Sequence, residues 1–464
     1  MAERKKVQKI RTKRAVKPKG LKSSKAKNVK NISQKTTSIR MTSPKPKANA
    51  VTTQNTPSNS RTTASVYKKQ SQTDKPIKQN RVYKKNNNLS VIRGKKGEIK
   101  KKKLITICVS FIIVFSIFIF CLTSPTGPLE RITNAFELMG SGEYPAVLSG
   151  TKTLAFQTVN NKAFALTNSH LCGYTFSGKN FLQFQHNFSN PVLDLSSERV
   201  LLYNRESNKF IISNNSGILF EQNLEQSVFC ADISHNGSVA FACEAASYSA
   251  QILVFDKNME QYYTWYLADG LVSDVAVSNN GEYVAVAVLK VKNGEFYSQI
   301  YCLNTDEKEP VFVKELVGET VLKIESTSSS NFVYASDKKV SFIKWETGED
   351  VNKNNFSAPS YFNNISDYYL ALYGEANHSD IVLYNSSGDI KHQFEFNGII
   401  DDISIFDEKI YILSGNKVTC LDFYSTDKKL INLDSNVDSI FGSKDGFVKI
   451  NNINMDFVTI KSDN

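Results

Sequence analysis

VFCADISHNGSVAFAC, residues 228–243, is matched 44 positions further along the chain by VSDVAVSNNGEYVAVA, residues 272–287. Each stretch has two runs of alternating apolar residues around a Ser-x-Asn-Gly turn, and Gly237 aligns with Gly281. Asparagine tolerates the tight dihedral angles of such a turn, and glycine supplies a positive φ. Each stretch therefore predicts a β-hairpin, and their similarity predicts a repeat.

Weaker copies of this hairpin recur along the chain. Their turns are centred near Asn160, Ser197, Ser328, Ser366, Asp407 and Lys444, which makes eight hairpins in all. A second set of turns lies between the hairpins, at residues 176–178, 215–217, 256–258, 304–306, 346–348, 386–388 and 425–427. From Gly178 to Gly388 there are five steps over 210 residues, or 42 residues per step.

A period of about 40–45 residues with four strands per unit is typical of a β-propeller, whose blades cover their apolar faces by packing around a ring. Residues 143–464 have room for about eight units, so we expect an all-β propeller of eight four-stranded blades. Seven blades stay open because the first unit, residues 149–167, is the least regular. A pair of β-sandwiches is the rival architecture, but it does not predict near-equal steps.

The way the ring closes is also predicted from the two ends of the repeat region. MDFVTI, residues 455–460, has the pattern of an outer strand. We therefore expect the innermost strand of the first blade to come from upstream, near residues 145–148.

A different pattern precedes the repeats. LITICVSFIIVFSIFIFCLT, residues 104–123, contains no charged residue. A helix of about 20 residues is roughly 30 Å long, the thickness of a bilayer's hydrocarbon core, so the stretch predicts one transmembrane helix. Six lysines crowd its N-terminal side: Lys95, Lys96, Lys100, Lys101, Lys102 and Lys103. By the positive-inside rule, we expect a single-pass plasma-membrane protein with a cytoplasmic N-terminus and an extracellular C-terminal domain.

The charge of the chain changes sign at the same place. Residues 1–103 hold 32 of the 57 basic residues and 3 of the 45 acidic ones, so their net charge is +29 and that of the remainder is −17. The segment lacks Phe, Trp and Cys. It cannot bury enough apolar surface to offset about 1–2 kcal/mol of backbone entropy per residue. We expect a disordered basic tail.

The partner of this tail is inferred from its charge. The six lysines beside the membrane would contact anionic lipid at the cytoplasmic face, or serve as topogenic charges alone. The basic cluster at residues 4–30 has no interleaved aromatic residue for base stacking. Nucleic acid is therefore the least favoured partner.

A short neck, residues 124–142, joins the predicted anchor to the propeller. Leu129, Ile132, Phe136 and Met139 fall on one helical stripe, and Gly140 follows. We expect a short amphipathic helix whose apolar stripe packs against the propeller. The alternative is a helix that lies on the outer membrane surface, although it carries only one basic residue, Arg131.

Taken together, these features resemble an uncharacterised family of membrane-anchored propeller proteins from Gram-positive bacteria. The resemblance rests on the WD40-like and quinoprotein-like turns ISHNG, VSNNG and KWETGED, on GSGEYP before the first blade, and on the order of tail, anchor and blades. It covers roughly residues 100–464. It implies an extracytoplasmic domain of unknown function and brings no catalytic residues with it.

No catalytic, cofactor or metal site is predicted. The histidines His170, His186, His235, His378 and His392 lack metal-ligand spacing, and neither Cys-x-x-Cys nor Gly-x-Ser-x-Gly occurs.

The cysteines of the repeat region lie in strand patterns, and we expect buried, reduced thiols at Cys172, Cys230, Cys243, Cys302 and Cys420. Cys230 and Cys243 would face each other only across a two-residue turn. The Ser-x-Asn-Gly form favours a three-residue turn with a glycine bulge, which places Cys243 opposite Phe229.

Aromatic side chains are the best candidates for binding. Most of them are expected to stack between blades, but an exposed cluster at the mouth of the channel would suit a sugar or a peptide. The candidates are Tyr262, Tyr263, Trp265 and Tyr266. We therefore expect a non-enzymatic binding or scaffold protein, without a cofactor, for an envelope protein, peptide or polymer.

Two alternatives remain. One is a quinone- or metal-dependent propeller enzyme; quinoprotein blades normally dock through a repeated tryptophan, and this chain has only Trp265 and Trp345. The other is a transmembrane protein that senses a ligand outside the cell.

Overall fold

The structure is a computed structural model that describes residues 96–122, 126–351, 356–425 and 428–460. Helix α1 spans Lys96–Leu122, with its side chains described over residues 103–119, and helix α2 spans Pro128–Glu137. Within the described part of the chain, no helix has both the length and the apolar character needed to cross a membrane. The predicted tail lies outside the described residues except for the start of α1.

The remaining described residues form strands in eight antiparallel sheets, the blades. Blade 1 is β2 (Thr153–Val159), β3 (Lys162–Thr167), β4 (His170–Thr175) and β5 (Asn180–Gln185); blade 2 is β6 (Pro191–Leu195), β7 (Val200–Asn204), β8 (Lys209–Asn214) and β9 (Gly217–Asn223). Blade 3 is β10 (Val228–Ile233), β11 (Val239–Cys243), β12 (Ala250–Phe255) and β13 (Gln261–Leu267); blade 4 is β14 (Leu271–Val277), β15 (Tyr283–Lys292), β16 (Glu295–Asn304) and β17 (Phe312–Val317).

Blade 5 is β18 (Val321–Ser326), β19 (Asn331–Ser336) and β20 (Val340–Lys344); blade 6 is β21 (Pro359–Ile365), β22 (Tyr368–Glu375), β23 (His378–Tyr384) and β24 (Ile390–Asn397). Blade 7 is β25 (Asp402–Phe406), β26 (Lys409–Ser414), β27 (Lys417–Asp422) and β28 (Lys428–Asn432). Blade 8 is β29 (Ser439–Ser443), β30 (Gly446–Asn451), β31 (Asn454–Thr459) and β1 (Ala146–Val147). Blade 5 has three strands among the described residues, and an Ile343–Asp350 bridge extends its outer edge.

Eight blades are confirmed, and the eight hairpin turns join the first and second strands of each blade, as predicted. The second-set turns at residues 176–178, 215–217, 256–258, 304–306 and 386–388 join third and fourth strands. The turn at 346–348 leads from β20 to the bridge at Asp350, and the turn at 425–427 lies partly outside the described residues. Gly237 and Gly281 have φ values of +86° and +79°, as the turn requires. A Cβ on Gly281 would approach Ser238 Oγ to 2.7 Å. A larger residue at this position would therefore clash with Ser238 as well as being strained by the positive φ.

The predicted closure of the ring is wrong in its detail. The upstream segment, β1, pairs antiparallel with β31 and becomes the outermost strand of blade 8, while β2 is the innermost strand of blade 1. The last strand, β31, is therefore the third strand of its blade. The N-terminal strand closes the ring from outside because the chain enters at the rim before it turns towards the channel.

The apolar core lies between neighbouring blades, as the packing of alternating strands requires. One cluster joins blades 4 and 5 around Trp345, which is fully buried and donates from Nε1 to the Ser328 carbonyl at 3.1 Å. All five propeller cysteines are buried and free, as predicted. Cys230 pairs with Ala242, and a bulge at Phe229 places Cys243 opposite Val228, so the two thiols do not face each other.

The packing predicted for the neck is wrong. Helix α2 forms, but most of its apolar stripe points away from the propeller. Leu129 and Phe136 are 78% and 66% exposed, Met139 just beyond the end of α2 is 65% exposed, and Ile132 is half-buried. The polar residue Asn134 is instead 3% exposed and packs against the blades. Periodicity shows which residues share a helix face but not which face meets the blades, and the residues that α2 contacts there, Arg199, Glu198 and Asn215, belong to polar turns.

Candidate functional site

A polar channel of about 510 Å³ runs through the centre of the ring. The innermost strands of the blades line it, together with the turns that follow them. Its charged lining includes Asp194, Asp232, Lys323, Glu325 and Asp402. This acidic lining was not foreseen, although an acidic residue in the first strand of several repeats is a visible signal.

Four aspartates of the innermost strands link neighbouring blades, because each accepts a hydrogen bond from a backbone N–H of the next blade. Asp194 accepts from Ile233 at 2.8 Å, and Asp232 accepts from Val277 at 2.6 Å. The same arrangement recurs between blades 4 and 5 and between blades 7 and 8: Asp274 with Ile324 at 2.9 Å, and Asp402 with Ile440 at 2.8 Å.

The channel walls shift the pKa values of these acids. Burial raises the pKa of Asp194 to about 6 and that of Asp274 to about 7, and the backbone hydrogen bonds offset this only in part. Burial and the facing Asp194 carboxyl raise the pKa of Asp232 well above its usual range. A carboxyl pair of this kind shares a proton, and its titration belongs to the pair.

One lysine balances part of this charge. Lys323 forms an ion pair with Glu325 and donates to Asn363 Oδ1 at 2.9 Å. Burial lowers its pKa, but Glu325, Asp274 and Asp194 more than offset that effect, so the pKa of Lys323 is raised. In the described part of the chain, no three His, Cys, Asp or Glu side chains are grouped to hold a metal ion.

The four predicted aromatic residues lie together on β13, the outermost strand of blade 3. They are therefore at the rim of the ring, and the expected position at the channel mouth is wrong. Tyr262 and Tyr266 are 43% and 48% exposed, whereas Tyr263 is buried and Trp265 half-buried between blades 3 and 4. Alternation along the strand, with a bulge beside Tyr262, explains this division.

These residues line a groove of about 470 Å³ that we call the aromatic groove; it is formed by Tyr248, Tyr262–Tyr266 and Thr305–Lys308. Tyr248 packs on Tyr266 with 4.9 Å between ring centroids, and Trp265 packs on Tyr301 at 5.1 Å. The Tyr262 hydroxyl donates to the Gly281 carbonyl at 2.8 Å. Tyr248 and Tyr301, which the sequence did not single out, thus hold the predicted residues in place.

The six predicted membrane-surface lysines are described only in part. Lys95 lies outside the described residues, and Lys96, Lys100, Lys101 and Lys102 belong to α1 with side chains that are not described. Lys103 is exposed.

Eight sheets around a channel define the class of this protein: it is an eight-bladed β-propeller. The chain belongs to the family of unknown function DUF5711, which matches residues 146–460. This match confirms the expected membership in a propeller family of unknown function.

Solved structures similar to the chain cover about 70% of it but are distant in sequence. BamB from Moraxella catarrhalis is 13% identical, covers 70% of this chain and 98% of its own, and gives a TM-score of 0.43. The C-terminal WD40 domain of Sif2 is 11% identical, covers 69% of this chain and 100% of its own, with a TM-score of 0.45. These similarities are too low to transfer a function.

One curated protein with a similar stretch is the myoblast growth factor receptor egl-15 of Caenorhabditis elegans. It is 28% identical over 147 residues, which is 32% of this chain and 13% of the receptor. The chain thus matches a small fraction of the receptor's length.

Proposed function

We propose that this protein is a membrane-anchored, non-enzymatic binding protein that holds its propeller outside the plasma membrane. There the aromatic groove captures a segment of an envelope protein or peptide. The observation that carries the proposal is the groove itself, because its tyrosines are fixed in position and yet exposed.

The anchor is supported by residues 104–123, which are uncharged, and by the lysines before them. Every described side chain of α1 from Lys103 to Ile119 is exposed, the apolar ones included. This composition suits lipid, and the lysine cluster suits a cytoplasmic N-terminus in contact with anionic headgroups. The resemblance described above adds a Gram-positive cell envelope as the setting.

The groove suits a protein or peptide for two reasons. Tyrosine and tryptophan are enriched at protein interfaces because they bury a large area with little loss of side-chain entropy. Tyr248, Tyr262 and Tyr266 are already ordered by one another and by the Gly281 carbonyl, so less entropy remains to be lost on binding. The net charge of −17 beyond residue 103 favours basic partners over anionic wall polymers.

A photo-crosslinking residue placed at Tyr266 in the full-length protein in cells tests the proposal. We expect a discrete crosslinked envelope protein that disappears when Tyr248→Ala is added, and direct binding of that protein once purified. The matched control is the same residue at Val317, which is 77% exposed on β17. The same diffuse crosslinks from both positions would contradict the proposal.

The carboxyl pair of Asp194 and Asp232 favours a second function, chemistry within the channel, since perturbed pKa values cluster at active sites. A quinone- or metal-dependent enzyme predicts a chromophore or a stoichiometric metal in the purified full-length protein. It also predicts that Asp232→Asn abolishes its activity without loss of fold. Absorbance spectra and metal analysis that show neither group would reject this function.

A further inference from the structure

Helix α2 has its amphipathic faces reversed with respect to the propeller. Its buried side carries Glu130 and Asn134, whereas Leu129 and Phe136 are more than half exposed. Exposed apolar residues in a row on a helix are costly in water, so such a face normally has a partner.

Polar contacts fix the helix in this orientation. Glu130 accepts two hydrogen bonds from Arg199, at 2.8 and 2.7 Å, and both side chains are largely buried at 12% and 5% exposure. Asn134 accepts from the Asn215 N–H at 3.1 Å and donates to Glu198 Oε2 at 3.1 Å. Rotating α2 to bury its apolar stripe would leave the Arg199 charge buried without its carboxylate.

The contacts also show which face of the ring carries α2. Arg199 follows the inner turn of blade 2, Asn215 lies in the outer turn of the same blade, and Lys179, which donates to the Glu137 carbonyl at 2.5 Å, follows the outer turn of blade 1. In an antiparallel four-stranded blade, these two turns lie at the same end. We call this end of the ring the turn face.

The chain ties this face to the proposed anchor. Helix α1 ends at Leu122 and α2 begins at Pro128, so six peptide units separate them. An extended chain spans at most about 3.6 Å per residue, which limits the gap to about 20 Å. The exposed stripe of α2 is therefore confined to the neighbourhood of the membrane surface from which α1 emerges.

We propose that Leu129, Phe136 and Met139 insert into the outer interface of the bilayer, so that α2 lies on the membrane and the turn face of the propeller points towards lipid. The proposal rests on the proposed anchoring by α1. The occupant of the stripe is lipid because the tether holds the stripe beside lipid whatever else is present. An amphipathic helix of this kind buries its apolar side at the boundary between headgroups and acyl chains.

This arrangement gives the propeller a fixed direction. The channel opening on the turn face, next to Ser197 and His235, points towards the membrane. The opposite end of the ring points away from it, and the aromatic groove at the rim stays accessible. A large partner would thus approach the rim of the ring or the end opposite the turn face.

Depth-dependent quenching tests the orientation in the full-length protein, reconstituted into phosphatidylcholine and phosphatidylglycerol vesicles that contain brominated lipid. Three single variants each add one tryptophan to the two native ones: Phe136→Trp on α2, Phe115→Trp on α1 and Val317→Trp at the far end of β17. We expect brominated lipid to remove on the order of half of the added emission at positions 136 and 115 and to leave that at position 317 unchanged.

The outcomes separate the two proposals. If position 115 is quenched and position 136 is not, α2 does not lie in the membrane although the anchor is correct. If neither is quenched, the proposed anchor itself fails. If position 136 is unquenched but its emission is blue-shifted and depends on protein dilution, a second copy of the chain covers the stripe and the proposal is overturned.

Discussion

The buried aspartates show how single residues hold the ring together at a cost that depends on pH. Asp274 accepts the Ile324 N–H across the junction of blades 4 and 5, which satisfies a backbone donor. Its enclosure raises its pKa from 3.8 to about 7. The folded protein therefore keeps a proton that the unfolded chain releases between about pH 4 and pH 7.

The linkage gives a signed prediction for Asp274→Asn. Because the pKa of Asp274 is higher in the folded state, the carboxyl contributes most to the free energy of unfolding at low pH. The stability of the protein therefore falls as the pH rises from about 4 to about 7. The amide oxygen can still accept the Ile324 N–H without a charge. We expect the variant to gain about 1–3 kcal/mol relative to the natural protein between pH 4 and pH 8, measured by denaturant unfolding.

Asp306→Asn is the matched control for Asp274→Asn because it removes a negative charge from an exposed turn. Its difference from the natural protein should change little with pH. A flat difference for Asp274→Asn as well would contradict the buried-acid explanation.

At the scale of elements, the buried ion pair of Glu130 and Arg199 is the strongest of the polar contacts that hold helix α2. We predict that Arg199→Ala leaves the Glu130 carboxylate buried without its partner, at a cost of about 3 kcal/mol, and releases α2 while the blades stay folded. Hydrogen exchange of the full-length protein should then speed up on the order of 100-fold over residues 126–139 alone.

An exposed ion pair supplies the control for α2. Lys344 and Glu349 pair at 3.1 Å, but their side chains are 50% and 64% exposed, and such pairs contribute about 0–1 kcal/mol. Lys344→Ala should leave exchange unchanged over residues 126–139. Unchanged exchange in Arg199→Ala would show that α2 is held by other contacts.

The elements differ in how far the sequence predicts them. Turns such as Ser234–Gly237 are local, because their Asn and Gly determine the dihedral angles whatever lies around them. The orientation of α2 depends on Arg199, almost 70 residues away along the chain. The hydrophobic periodicity of α2 itself contains no information about such a distant contact. For the same reason the aromatic residues of β13 were found but placed at the wrong part of the ring.

For the molecule as a whole, the closing strand is the critical junction. Leu148, just after β1, is 2% exposed and packs with Phe441 and Met455 of blade 8 and Tyr174 of blade 1. We predict that Leu148→Ala destabilises the propeller by about 2–5 kcal/mol in thermal or chemical unfolding.

Leu322→Ala removes the same atoms from a side chain that is 62% exposed, and it should change stability by less than about 0.5 kcal/mol. Equal losses in Leu148→Ala and Leu322→Ala would show that the junction between the first and last blades does not determine the stability of the ring.

The number of blades was predictable and their closure was not. Eight near-equal steps are counted directly in the sequence, because every blade repeats the same hairpin. Closure depends on whether an upstream strand joins the inner or the outer edge of the last blade. Ala146–Val147 is a two-residue strand, which is too short to carry a pattern of its own.

The most direct test of the central claim, a propeller held outside the membrane, is the accessibility of single cysteines in intact cells. Lys338→Cys places a thiol at a side chain that is 60% exposed on the blade ends opposite the turn face, and Lys22→Cys places one in the tail. The native propeller cysteines are buried. A membrane-impermeant maleimide should label position 338 in intact cells and position 22 only after permeabilisation; the reverse pattern would contradict the account.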